Sequence, residues 1–157
     1  MIFVTVGTHE QPFNRLLEYV DKLKEQKVIT EEVIMQTGFS TYTPKHCKYQ
    51  KLFSYQRMNE LVEEARIVIT HGGPSSFLMV LQKGKIPIVV PRQKQFDEHV
   101  NEHQVEFCKE VFERQILLAK KLNLPIVIHM REATEDTIEI LRQNKNNINL
   151  GGLVHCF

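Results

Sequence analysis

The sequence predicts an α/β protein: a parallel sheet with helices on both faces. Three observations predict it. Short apolar, β-branched runs alternate almost throughout with stretches whose apolar residues recur at helical spacing. The run Ile67–Thr70 breaks into His71-Gly72-Gly73-Pro74-Ser75-Ser76 and resumes at Phe77 with helical spacing. Strand, tight turn and helix N-terminus together present backbone N–H groups to an anion. The densest polar clusters follow strands, where open parallel sheets carry their sites. They are Gly7–Gln11, His71–Ser76, Arg92–Gln104, and the pair His129 and His155.

Each element has its own signal. Ile2–Val6 is apolar enough for a sheet centre, and Gly7-Thr8-His9-Glu10-Gln11-Pro12 is the turn after it. Phe13–Lys24 places Phe13, Leu16, Leu17, Val20 and Leu23 on one helical face. Val33–Gln36 is a short strand, Ser40–His46 a loop, and Tyr49–Phe53 a strand of imperfect pattern. Met58–Ala65 is a helix, Ile67–Thr70 a buried strand, and Phe77–Lys83 a helix closed by Gly84. Pro74 suits the first helical turn, and Ser75 and Ser76 suit a cap or a phosphate oxygen. Ile86–Val90 is a strand with Pro87 near its start, where a missing ladder donor is tolerated. Val105–Leu122 keeps a helical period. Leu124–His129 is a strand, Ala133–Gln143 a helix, Asn144–Asn149 a polar turn and Leu150–His155 a last strand.

A length of 157 residues fits one compact domain. Twenty basic residues against 19 acidic ones leave no nucleic-acid footprint, so no nucleic-acid partner is expected. No apolar run approaches the ~20 residues that span a bilayer, and the first residues lack the pattern of a signal peptide. Three cysteines without a CxxC pair point to a reducing, cytoplasmic setting.

Four blocks in order carry a resemblance over residues 1 to about 110. They are Phe3-Val4-Thr5-Val6-Gly7-Thr8, Thr70-His71-Gly72-Gly73-Pro74-Ser75-Ser76-Phe77, Gly84-Lys85-Ile86-Pro87-Ile88-Val89-Val90-Pro91-Arg92 and Phe96-Asp97-Glu98-His99-Val100-Asn101-Glu102-His103-Gln104. This part resembles the C-terminal, donor-binding domain of family 28 glycosyltransferases, above all the small subunits of two-component capsule and exopolysaccharide enzymes. The resemblance implies a Rossmann-like half of a GT-B fold and a UDP-sugar donor, with no cofactor required and no divalent metal expected. It implies a donor site at Gly7, Thr8, His71, Gly72, Gly73, Ser75, Ser76, Arg92, Glu98, His99 and Gln104. The diphosphate would lie over Gly72, Gly73, Ser75 and Ser76, Arg92 and His71 would add positive potential, and Glu98, His99 and Gln104 would bond sugar hydroxyls. Many relatives place a ribose-binding glutamate where this chain has Met79. The same resemblance implies a separate, membrane-anchored, acceptor-binding glycosyltransferase subunit as partner. This chain would then be cytoplasmic and peripheral to the inner face of the membrane through that partner. His9 reads equally as a turn cap and as a ligand.

From about Glu110 the chain resembles a second family, the TatD metal-dependent deoxyribonucleases of the amidohydrolase-like barrels. The match runs from Val111 through Pro125-Ile126-Val127-Ile128-His129, Arg131-Glu132-Ala133, Asp136-Thr137 and Ile140-Leu141 to Gly151-Gly152-Leu153-Val154-His155-Cys156-Phe157. That resemblance makes His129 and His155 vestigial metal ligands, because the family's other ligands have no counterpart here. The chain therefore reads as a chimera joined within Phe107–Phe112, its rear αβαβ fragment (residues 111–157) extending the front sheet. Three functions follow. The first is the UDP-sugar-binding subunit of a surface-polysaccharide glycosyltransferase with a non-native tail, inactive alone. The second is a shuffled fold without catalysis, and the third, least supported, is a metal-dependent hydrolase. A homo-oligomer or an exchange of segments between chains is left open by the replaced C-terminal segment.

Overall fold

Five strands of the computed structural model make one parallel sheet in the order β3-β2-β1-β4-β5. They are β1 (Ile2–Thr5), β2 (Val33–Gln36), β3 (Lys48–Gln50), β4 (Ile67–His71) and β5 (Ile88–Val90). The structure describes residues 1–129 and 134–155. Register sets Thr5 beside both Gln36 and Thr70, so the turns that follow β1 and β4 emerge side by side. Strand order reverses there, which makes the gap between these two turns the topological switch point.

Alternation along β1 sorts the core. Ile2, Val4 and Val6 pack with Phe13, Leu16, Leu17 and Val20 of the α1 (Asn14–Glu25) region. Phe3 faces the other way, onto Leu61 and Val62 of α2 (Tyr55–Glu64) and Val80 of α3 (Pro74–Gln82). Helices thus cover both faces, as expected. Several boundaries differ for local reasons. Helix α2 starts earlier than its apolar period because Ser54 Oγ accepts the Arg57 N–H at 3.2 Å. Helix α3 starts at Pro74, which needs no donor there. Strand β5 is cut to three residues behind Pro87.

Two side chains hold the connections. Asp21 is buried, and its carboxylate accepts the Tyr42 hydroxyl (2.8 Å) and the N–H groups of Lys45 (2.8 Å) and His46 (2.9 Å). Burial alone would raise its pKa; these donors outweigh it and hold the pKa below the ordinary value. Lys85 Nζ donates to the carbonyls of Val62 (2.8 Å), Ala65 (2.6 Å) and Glu63, closing the C-terminus of α2.

The chain divides into two compact units, Met1–Val105 and Glu106–Phe157. The rear unit holds most of α4 (His103–Leu122), then β6 (Ile126–His129), α5 (Thr134–Gln143) and β7 (Gly152–His155). The expected αβαβ order forms, but its placement is corrected: β6 and β7 pair in parallel as a two-stranded sheet of their own, not as an extension of the five-stranded one. Gly152 permits that pairing, since a Cβ there would lie 2.5 Å from the Ile126 carbonyl oxygen. Among the described residues of this unit, Ile116 and Ile140 are its buried hydrophobics, while Leu117, Leu118, Val127 and Leu153 are exposed.

Candidate functional site

The site is built from the turns after β1 and β4 and the loop after β5. Gly7 sits at φ +74°, a conformation that favours glycine. The His71 ring fills the space beside it: a Cβ on Gly7 would lie 2.4 Å from His71 Cε1, and one on Gly73 would lie 2.4 Å from His71 Nε2. One imidazole is therefore wedged between two glycines from different turns. Gly72 is equally constrained, with a built Cβ 2.9 Å from Gln104 Cβ and 3.1 Å from Pro91. Gly73 is the N-cap of α3 and has no side-chain acceptor; Pro74 has no N–H, and the Ser76 N–H donates to the Gly73 carbonyl at 3.1 Å. Ser75 is exposed, Ser76 half-buried and Thr8 exposed beside them.

His71 is 7% exposed, and its Nδ1 has no hydrogen-bond partner. Burial, then the positive Arg92, push its pKa down to about 4, against a hydrogen bond to the Thr5 backbone. The expectation that His71 adds positive charge is thus corrected: at neutral pH it is uncharged.

Arg92 lies deeper than a surface ligand. It has no exposed surface. Its guanidinium donates to the carbonyls of Gln11 (2.7 Å), Glu98 (2.9 Å) and Val6 (2.8 Å) and lies 4.9 Å over the Phe13 ring. Burial lowers its pKa to about 10, so it stays a cation and acts through its field from behind the turns. Glu98, expected on a sugar hydroxyl, is 3% exposed and engaged elsewhere. Its carboxylate takes Arg15 as a bidentate partner (both bonds 2.8 Å) and the Gln93 N–H at 3.1 Å. Gln104 Oε1 accepts the Arg92 N–H at 3.0 Å. Arg92, Glu98 and Gln104 are therefore braces of the loop rather than its exposed ligands.

His99 stays half-buried and its ring lies tilted by 37° against that of His9, centroids 4.3 Å apart. Burial, then the nearby His99 and Arg92, lower the pKa of His9, while Glu10 opposes them. Sequence reasoning missed Arg15: it lies on α1 among ordinary surface charges, and no spacing links it to Glu98.

Four buried polar atoms lack a protein partner among the described residues: Gln11 Oε1, Thr70 Oγ1, His71 Nδ1 and Arg92 Nε. Thr70 and His71 end strand β4, Gln11 lies in the loop after β1, and Arg92 lies in the loop after β5. An open groove lined by Lys24, Lys27, Ile29, Thr30 and His46 lies instead where α1 leads into β2. Cys47 and Cys108 are pushed up to about 12 and about 11, chiefly by burial, and offer no thiolate. His129 and His155 are in register at the ends of β6 and β7, but their side chains, like Arg131-Glu132-Ala133 and Cys156-Phe157, lie outside the described residues. Among the described residues no group of three or more His, Cys, Asp or Glu is placed to hold a metal. No described helix is long and apolar enough to cross a membrane.

Comparison with known proteins adds three similar proteins and one family. The chain is similar to the uncharacterized metal-dependent hydrolase YabD of Bacillus subtilis, 48% identical over 61 residues, covering 39% of this chain and 24% of YabD. It is also similar to UDP-N-acetylglucosamine transferase subunit ALG13 of Yarrowia lipolytica, 30% identical over 134 residues, covering 75% of this chain and 63% of that protein. The chain thus spans only about a quarter of the hydrolase and under two thirds of the transferase subunit. Among solved structures it is similar to the glycosyltransferase SnogD of Streptomyces nogalater, with a TM-score of 0.41 and 21% identity, covering 59% of this chain and 26% of SnogD. A family model, the glycosyltransferase family 28 C-terminal domain, matches residues 1–148, so it runs through both compact units and overlaps the hydrolase-like stretch. With nearly its whole length matched by that model, the chain belongs to the family of glycosyltransferase family 28 C-terminal domains.

Proposed function

We propose that the front unit binds the UDP moiety of a nucleotide sugar, as the donor half of a two-component glycosyltransferase. The observation that carries this is the N-terminus of α3. Its cap is a bare glycine, it opens at the switch point beside the β1 turn, and Thr70 and His71, which lead into it, each carry a buried polar atom without a partner. The diphosphate lies over Gly72, Gly73, Ser75 and Ser76, with Gly7 and Thr8 at the neighbouring turn. Arg92 holds positive potential behind them. The similar ALG13 protein is named as a subunit of a UDP-N-acetylglucosamine transferase, which supports both that donor and a second chain for the acceptor. Such a partner would supply the base that activates the acceptor hydroxyl and would hold this chain at the cytoplasmic face of the membrane. Surface polysaccharide is the product class we favour. The rear unit is a TatD-like graft, and the chain has no transferase activity alone.

Titration calorimetry with UDP-N-acetylglucosamine and with UDP tests this reading. Heat of binding is expected with the full chain and is lost on Ser75→Asp, an exposed position where the new carboxylate would meet the diphosphate. A folded chain that gives no heat with either ligand overturns the reading and favours a shuffled fold without function. The similarity to YabD motivates one further reading, a metal-dependent hydrolase. A nuclease assay with magnesium or manganese decides it, and no activity above a His129→Ala control is expected.

A further inference from the structure

The paired histidines carry more than the donor reading requires. His9 Nδ1 accepts the Gln11 N–H at 3.2 Å, and His99 Nδ1 accepts the Asn101 N–H at 3.3 Å. A ring nitrogen that accepts cannot carry a proton, so in each neutral ring the hydrogen is on Nε2. Among the described residues neither Nε2 has a protein acceptor, and the loops do not spend these donors. The two rings come from different strand-end loops, the first after β1 and the second after β5, yet their centroids are 4.3 Å apart. Both are electrostatically coupled to His71, whose ring underlies the Gly73 turn.

We propose that His9 and His99 are side-chain ligands of the donor's diphosphate, each donating from its Nε2–H. This rests on the donor-binding reading above and adds His9 to the site. The charged and titratable groups facing the pair are Arg92, His71 and Glu10, with Glu98 held behind Arg92 by Arg15. Burial, His99 and Arg92 all lower the pKa of His9, which holds its ring toward the neutral form. The division of labour is then simple. Arg92 supplies charge from behind, and the two rings supply direction.

Paired substitutions separate the ligand role from the turn-capping role. Asparagine places its amide oxygen near the position of Nδ1 and keeps the cap, whereas glutamine places its N–H near the position of Nε2 and keeps the donor. His9→Asn and His99→Asn are each expected to weaken UDP-N-acetylglucosamine binding about tenfold, the loss of one hydrogen bond to a charged acceptor. His9→Gln and His99→Gln are expected to stay within about threefold of the parent chain. The diphosphate of this probe has no group that titrates near neutrality. The heat measured in buffers of different ionisation enthalpy is therefore expected to be the same, because no proton is taken up. Equal binding by parent and asparagine variants reduces the pair to turn caps and overturns the proposal. So does uptake of a proton on binding, which would make the pair an imidazolium. Absence of any binding by the parent chain removes the donor reading itself, and binding with the wrong variant order removes only this inference.

Discussion

Gly73 has an ordinary φ of −76°, so an alanine there strains no backbone. What excludes it is the His71 ring, whose Nε2 would lie 2.4 Å from the new Cβ. Gly73→Ala is therefore expected to lower stability by about 1–3 kcal/mol, the range for overpacking a filled site. Combining it with His71→Ala should recover most of that loss, because the methyl then has room. Urea unfolding of the four chains in a double-mutant cycle measures it, and simple additivity would refute the wedge. His71 also sets a pH dependence. Its folded pKa, about 4, lies below the ordinary value of 6.5, so between those values the unfolded chain binds more protons. Its stabilising contribution is complete above pH 6.5 and is lost as pH falls toward 4. The expected slope approaches about 1.4 kcal/mol per pH unit in that window. His71→Gln should flatten it, as read from unfolding free energies at half-unit pH steps.

At the scale of elements, stability concentrates where one side chain closes several backbone groups. Replacing Lys85 by methionine leaves the last carbonyls of α2 without their shared donor, and a loss of about 1–2 kcal/mol is expected by chemical denaturation. Alternation along β1 and the glycine turn after β4 were legible in the sequence, because period and turn chemistry are local. So was the side-by-side emergence of the turns after β1 and β4 at the switch point, since a parallel sheet of this order forces it. Side-chain roles were less legible. Glu98 and Gln104 read as exposed ligands because their stretch is polar throughout. Only the fold brings Arg15 from α1 onto Glu98 and the Arg92 N–H onto Gln104. A buried arginine that donates to three carbonyls has no sequence signature, since its partners are backbone atoms from 81 to 86 residues earlier, together with one only six residues on.

For the whole molecule, the order of strands and helices in the rear segment was readable, but strand pairing was not. Local pattern fixes that β6 and β7 are strands; it does not say which edges they join. As a separate two-stranded sheet with two buried aliphatic side chains named among its described residues, the rear unit has little to hold it closed. Native-state hydrogen exchange is expected to show this directly. Amides of β6 and β7 should exchange through local opening at least about a hundredfold faster than those of β1 and β4. Equal protection would mean that the chain opens only as one cooperative body. Every brace described here lies ahead of Glu106: the wedged imidazole, the buried guanidinium and the Arg15–Glu98 fork. The contacts that fix the glycine turn, the buried guanidinium and the loop after β5 are thus all made within the first 105 residues, so substitutions at these positions read out on one stretch of chain.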